Sequence, residues 1–122
     1  EYPVAYDIED SSQKSLSKDL RTEIAATWLQ KVEDEGYYVM LYASASWLGS
    51  KFNMDDLKSY DVWCAAYVSS QSNISKYYKG NYGIWQYSSS ITLSDVYKSK
   101  LDHNYAFKDY AKIITSKHLN NL

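Results

Sequence analysis

A chain of 122 residues with a formal net charge of −2 makes one domain with a real core. Its lysines are scattered along the sequence, which excludes the basic footprint of a nucleic-acid binder, and no apolar run approaches the roughly 20 residues needed to cross a bilayer. Cys64 is the single cysteine, so no internal disulfide forms, and with His103 and His118 as the two histidines neither a metal site nor a cofactor is expected.

The first predicted element is a strand over Pro3–Glu9, and it ends in two carboxylates, Asp7 and Glu9. Alternate residues of a strand share a face, so the pair projects the same way with Cα atoms roughly 6–7 Å apart. Two converging carboxyl groups are the minimal apparatus for glycoside hydrolysis, one giving a proton while the other stays ionised. The same pair also reads as a strand end finishing in solvated acids. Asp10 leaves that face and caps or solvates the following loop. No basic segment followed by an apolar run opens the chain, and the pattern starts on a strand without methionine; a mature or clipped segment is expected.

A helix over Ser17–Glu35 follows, with Leu20, Ile24, Ala25, Trp28, Leu29 and Val32 at three- and four-residue spacing. Ser15 or Ser17 caps its start and Gly36 its end. Next come a strand over Tyr37–Ala43, a short helix around Asp55–Ser59 and a strand over Asp61–Tyr67. Cys64 lies within that last strand as a small buried hydrophobe. Ser69–Gly80 reads as a loop, Tyr82–Tyr87 as a strand, Ser88–Ser90 as a loop, and Phe107–Leu119 as the last helix. Alternation of strand and helix predicts a parallel sheet of βα units. In such sheets working residues gather at strand C-terminal ends, where Asp7, Glu9, Tyr42, Tyr67, Gln86 and Tyr87 all fall.

The aromatic count is the abnormal quantity, with 14 Tyr and 4 Trp against 2 Phe. Tyr and Trp join an apolar body to a hydrogen-bonding tip, which suits sugar rings, a protein partner or an aromatic core alike. Trp28 and Leu29 read as helix-face core, and Trp47 and Trp85 as packing. Gln86 could equally satisfy backbone groups, Asp61 and Asp95 are ordinary loop acids or caps, and both histidines are incidental.

Five segments together carry a family resemblance: Pro3-Val4-Ala5-Tyr6-Asp7-Ile8-Glu9, Gly36 to Ser44 followed by Trp47-Leu48, Asp61 to Tyr67, Ile84-Trp85-Gln86-Tyr87-Ser88-Ser89, and Leu101-Asp102-His103-Asn104-Tyr105. In this order the chain resembles the glycoside hydrolase family 25 lysozymes, muramidases that cut peptidoglycan. The resemblance implies an α/β fold, a (β/α) TIM-like barrel cleaving the β-1,4 bond between N-acetylmuramic acid and N-acetylglucosamine. It makes Glu9 the proton donor and Asp7 its orienting or charge-stabilising partner. Tyr42, Trp63, Tyr67 and Gln86 become groove residues, and Asp102 completes the acidic cluster. Like charge and desolvation would raise the pKa of such a glutamic acid and keep it protonated near neutral pH.

Barrels generally need about 200 residues or more. Residues 1–122 are therefore expected to be the C-terminal part of a single catalytic domain, a partial barrel lacking its first strands and the aspartate of the first one. Ser90–Lys100 also lacks the Gly-rich turn of the family, and His103 stands between Asp102 and Asn104. The expected partners are peptidoglycan glycan strands and, for the open strand edge, a second copy or the missing N-terminal segment; no nucleic acid and no membrane. The expected location is extracellular or on the cell wall. The competing reading is a non-catalytic module that binds cell-wall carbohydrate or another protein.

Overall fold

The computed structural model describes residues 1–8, 15–93 and 97–122 and is mixed α/β, built on a five-stranded half-barrel sheet. Strands β1 (Val4–Asp7), β2 (Val39–Ser44), β3 (Asp61–Ala65) and β4 (Ile84–Leu93) lie side by side in chain order, each parallel to the next. Strand β5 (Tyr97–Ala106) returns antiparallel along β4. The sequence leaves β5 unread and takes Ser88–Ser90 for a loop. The ladder with β5 instead carries those serines inside β4, and three register shifts break the alternation by which a strand is recognised.

Helix α1 (Lys18–Asp34) connects β1 to β2. Ser17 Oγ accepts from the Leu20 amide at 3.1 Å, and Gly36 ends the helix at φ +91°, a left-handed conformation that favours glycine. Its buried residues are Arg21, Thr22, Ala25 and Leu29, whereas Leu20 and Ile24 face solvent. Arg21 explains the rotated face. Its guanidinium donates to the carbonyls of Lys51 (2.7 Å) and Leu16 (2.6 Å) and lies 5.3 Å from the Trp47 ring centre. A buried guanidinium persists only with such partners. Trp28 is partly buried and stacks on Tyr6 at 5.0 Å.

Helix α2 (Ala45–Ser50) starts directly at the end of β2, where Ser44 Oγ accepts from the Trp47 amide. Six residues are too few to show a helical period in sequence. The expected helix at Asp55–Ser59 is a 3-10 turn, Met54–Leu57, and the loop Ser69–Gly80 contains another, Gln71–Lys76. The last helix, α3, is confined to Tyr110–Ser116.

Alternation along the strands separates two cores. On the outer face Ile8, Leu41, Ala43, Val62, Cys64 and Trp85 pack with Ala25 and Leu29 of α1. Burial pushes the Cys64 thiol up to about 12, so it is an inert hydrophobe. On the inner face Met40 and Ile84 are covered by Tyr110 and Ile114 of α3. Burying a side chain such as Ile114 completely contributes about 2 kcal/mol.

Asp61, far from being an ordinary loop acid, joins this inner core to the sheet. Its carboxylate accepts from Tyr110 Oη (2.8 Å), Tyr38 Oη (2.9 Å), Lys108 Nζ (3.1 Å) and the Val62 amide (2.9 Å). Burial pushes the Asp61 pKa upward, but these donors together outweigh it and hold the carboxyl below its ordinary value. Gly83 leaves room for the cluster, since a Cβ there would collide with Tyr110 Oη and the Asp61 carboxylate.

Candidate active site

Inner-face side chains near the C-terminal ends of the parallel strands form the site. Register places Asp7 beside Tyr42, Tyr42 beside Trp63, Ala65 beside Gln86, and Gln86 beside Asn104. Ile8 turns to the outer core, where it is 1% exposed, while Asp7 lies exposed on the other side of the strand. Glu9, the sequence-predicted proton donor, and Asp10 lie outside the described residues, as does Asp95.

Gln86 organises the centre. Its Oε1 accepts from Tyr42 Oη and from Tyr67 Oη, both at 2.7 Å, and the side chain is 3% exposed. These partners are phenols, not the backbone groups that the sequence also allowed. Two donors fill the lone pairs of Oε1, and among the described residues the amide nitrogen makes no hydrogen bond. The orientation of the amide is fixed by that network. A buried amide with one end satisfied presents its other end to a ligand or water.

Tyr42 also meets Trp63 edge to face at 5.0 Å, and Trp63 Nε1 donates to Asn104 Oδ1 at 2.7 Å. Tyr67 is 57% exposed, so its ring offers a face to solvent while its hydroxyl is held. The structure therefore brings Tyr42, Trp63, Tyr67 and Gln86 together, with Asp7 next to Tyr42. Asp102 is exposed on β5, two residues before Asn104, and among the described residues no hydrogen bond joins it to the others. Asn104, which the resemblance pairs with Asp102 without giving it a role, is the groove residue of that pair through its bond to Trp63. His103 is not incidental either. It meets Tyr87 edge to face on the outer face of the hairpin, with Nδ1 3.2 Å from Tyr87 Oη. Among the described residues no cluster of His, Cys, Asp and Glu could hold a metal ion.

The family model for glycosyl hydrolases family 25 matches residues 1–96. The chain belongs to this family. Among solved structures, this family 25 chain is similar to the CTP1L endolysin, with a TM-score of 0.70 and 20% identity over 93% of the chain and 38% of the endolysin. It is equally similar to a family 25 glycosyl hydrolase from Bacillus anthracis, with a TM-score of 0.70 and 20% identity over 93% of the chain and 54% of that enzyme. At that identity the likeness speaks for the fold. The family 25 chain thus spans about two fifths and about half the length of these structures. No curated protein matches the chain.

Proposed function

We propose that this family 25 chain belongs to a lysozyme that hydrolyses peptidoglycan at the β-1,4 bond between N-acetylmuramic acid and N-acetylglucosamine. Glu9 is the general acid: it protonates the glycosidic oxygen as the C1–O bond breaks. Asp7 stays ionised, orienting the substrate and stabilising the oxocarbenium-like charge at C1. Water then adds at C1, and its proton returns to the carboxylate. The exposed face of Tyr67 stacks on a sugar ring, the Gln86 amide donates to a sugar oxygen, and Trp63 with Asn104 walls the groove. Asp102 borders the same groove and supplies further negative charge.

The five strands are read as part of a TIM-like barrel whose neighbouring strands would meet the β1 edge, supplied by a longer chain or a second copy. The place of action is the cell wall, outside the cell. The observation that carries this reading is the shared face on which Asp7, at the C-terminal end of β1, stands in register with the Tyr42 of the Tyr42–Gln86–Tyr67 bracket.

Glu9→Gln tests it. Removing the proton donor should lower peptidoglycan hydrolysis by about a hundredfold or more while pull-down on insoluble cell walls is unchanged. Hydrolysis that survives the substitution removes Glu9 from its role. A parent protein that binds walls and releases no reducing sugar, even when supplied with the rest of a family 25 barrel, favours the non-catalytic module.

A further inference from the structure

The lysines scattered in sequence converge in space around one cavity. A cavity of about 870 Å³ opens beside Asp61, the first residue of β3, whereas the groove residues lie toward the strand C-terminal ends. Lys18 at the start of α1, Lys58 after the first 3-10 turn, and Lys76 and Lys79 ahead of β4 all line it, together with Lys108. Only Lys108 is neutralised, by Asp61; among the described residues the side chains of the other four make no ion pair. Asp55 is the one other carboxylate in the lining. A chain with a net charge of −2 thus carries a concave region in which five lysines face two carboxylates.

We propose that this cavity binds a flexible phosphodiester polymer. Lysine ammonium groups are compact charges with freely rotating donors, suited to phosphate oxygens presented at varying angles. The cations come from separate segments of the chain, so successive phosphates of one polymer reach several of them, where a single phosphate reaches few. The binding stands on the cavity alone; the choice of a wall-type polymer over a nucleic acid rests on the lysozyme reading, and on the absence of arginine from the lining. A polymer held here would keep the enzyme on its wall while the groove engages glycan.

Calorimetric titration with short poly(glycerol phosphate) at low salt provides the test. Binding should weaken linearly in log–log fashion as salt is added, from counterion release. Lys58→Ala/Lys76→Ala/Lys79→Ala should weaken it about tenfold or more at unchanged thermal stability, since all three side chains are exposed. Inorganic phosphate should compete only at far higher concentration. No binding by the parent protein, an unaffected triple variant, or equal binding of single-stranded DNA or poly-glutamate would overturn the proposal. Glu9→Gln should bind the polymer as the parent does, which keeps this result separate from the fate of the catalytic reading.

Discussion

Gln86 accepts two phenolic hydroxyls on one oxygen, and this makes it the most consequential single side chain of the groove. Gln86→Leu keeps the volume and removes the shared acceptor, leaving the Tyr67 hydroxyl without its partner. The loss should be about 1–3 kcal/mol, read as a lowered midpoint in urea denaturation. Affinity for glycan should fall as well, because Tyr67 is then free to swing; Tyr67→Phe, which leaves the Tyr42 bond, should do less of both. Tyr42, Tyr67 and Gln86 could be singled out in the sequence because each stands at or near the end of an apolar predicted strand, where working residues gather. The bracket itself was not, since which oxygen receives which hydroxyl depends on register between β2, β3 and β4.

At the scale of elements, the four parallel strands were readable from their apolar and aromatic runs, and α1 from its period and caps. Strand β5 and helix α2 were not: a bulged, serine-bearing hairpin has no clean alternation, and a six-residue helix has no period. Asp61 was misread because its side-chain donors, Tyr38, Lys108 and Tyr110, come from two distant places in the chain. The network makes stability depend on acid. The folded-state pKa of Asp61 is lowered, so its contribution is complete above the unfolded value of about 4 and is lost as pH falls through the folded value. Asp61→Asn should therefore destabilise the protein by about 2–3 kcal/mol at pH 7 and flatten the decline in Tm below pH 4. Most of that comes from the tyrosines, since Lys108 is half exposed and its ion pair is weak. An unchanged acid limb would show that other carboxylates govern it. At the alkaline end the sign reverses. Burial, reinforced by Asp61, raises the pKa of both Tyr38 and Tyr110, so their contribution is lost as pH rises above the ordinary tyrosine value.

Over the whole molecule, the tail closes the sheet from below. Asn120 Oδ1 accepts from the Tyr38 amide at 2.9 Å, its Nδ2 donates to the Tyr2 carbonyl at 2.8 Å, and its backbone amide donates to the Gly36 carbonyl at 2.9 Å. It does so at φ +54°, a left-handed conformation that asparagine tolerates better than most residues. Asn120→Ala should cost about 2 kcal/mol, losing the side-chain bonds and gaining strain; Asn120→Gly should lose only the bonds. A Tm difference between the two variants separates the contributions, and equal values would assign everything to hydrogen bonding. The same clamp orders events in time. On a ribosome β1 to β4 emerge in the sequence in which they pair, so the sheet can assemble strand by strand as it is made. The inner layer of Met40 and Ile84 nevertheless stays bare until Tyr110 and Ile114 arrive, and residue 120 locks the first strand only after them. Until those residues arrive the nascent sheet therefore displays an apolar underside, the kind of transiently exposed surface that chaperones shield.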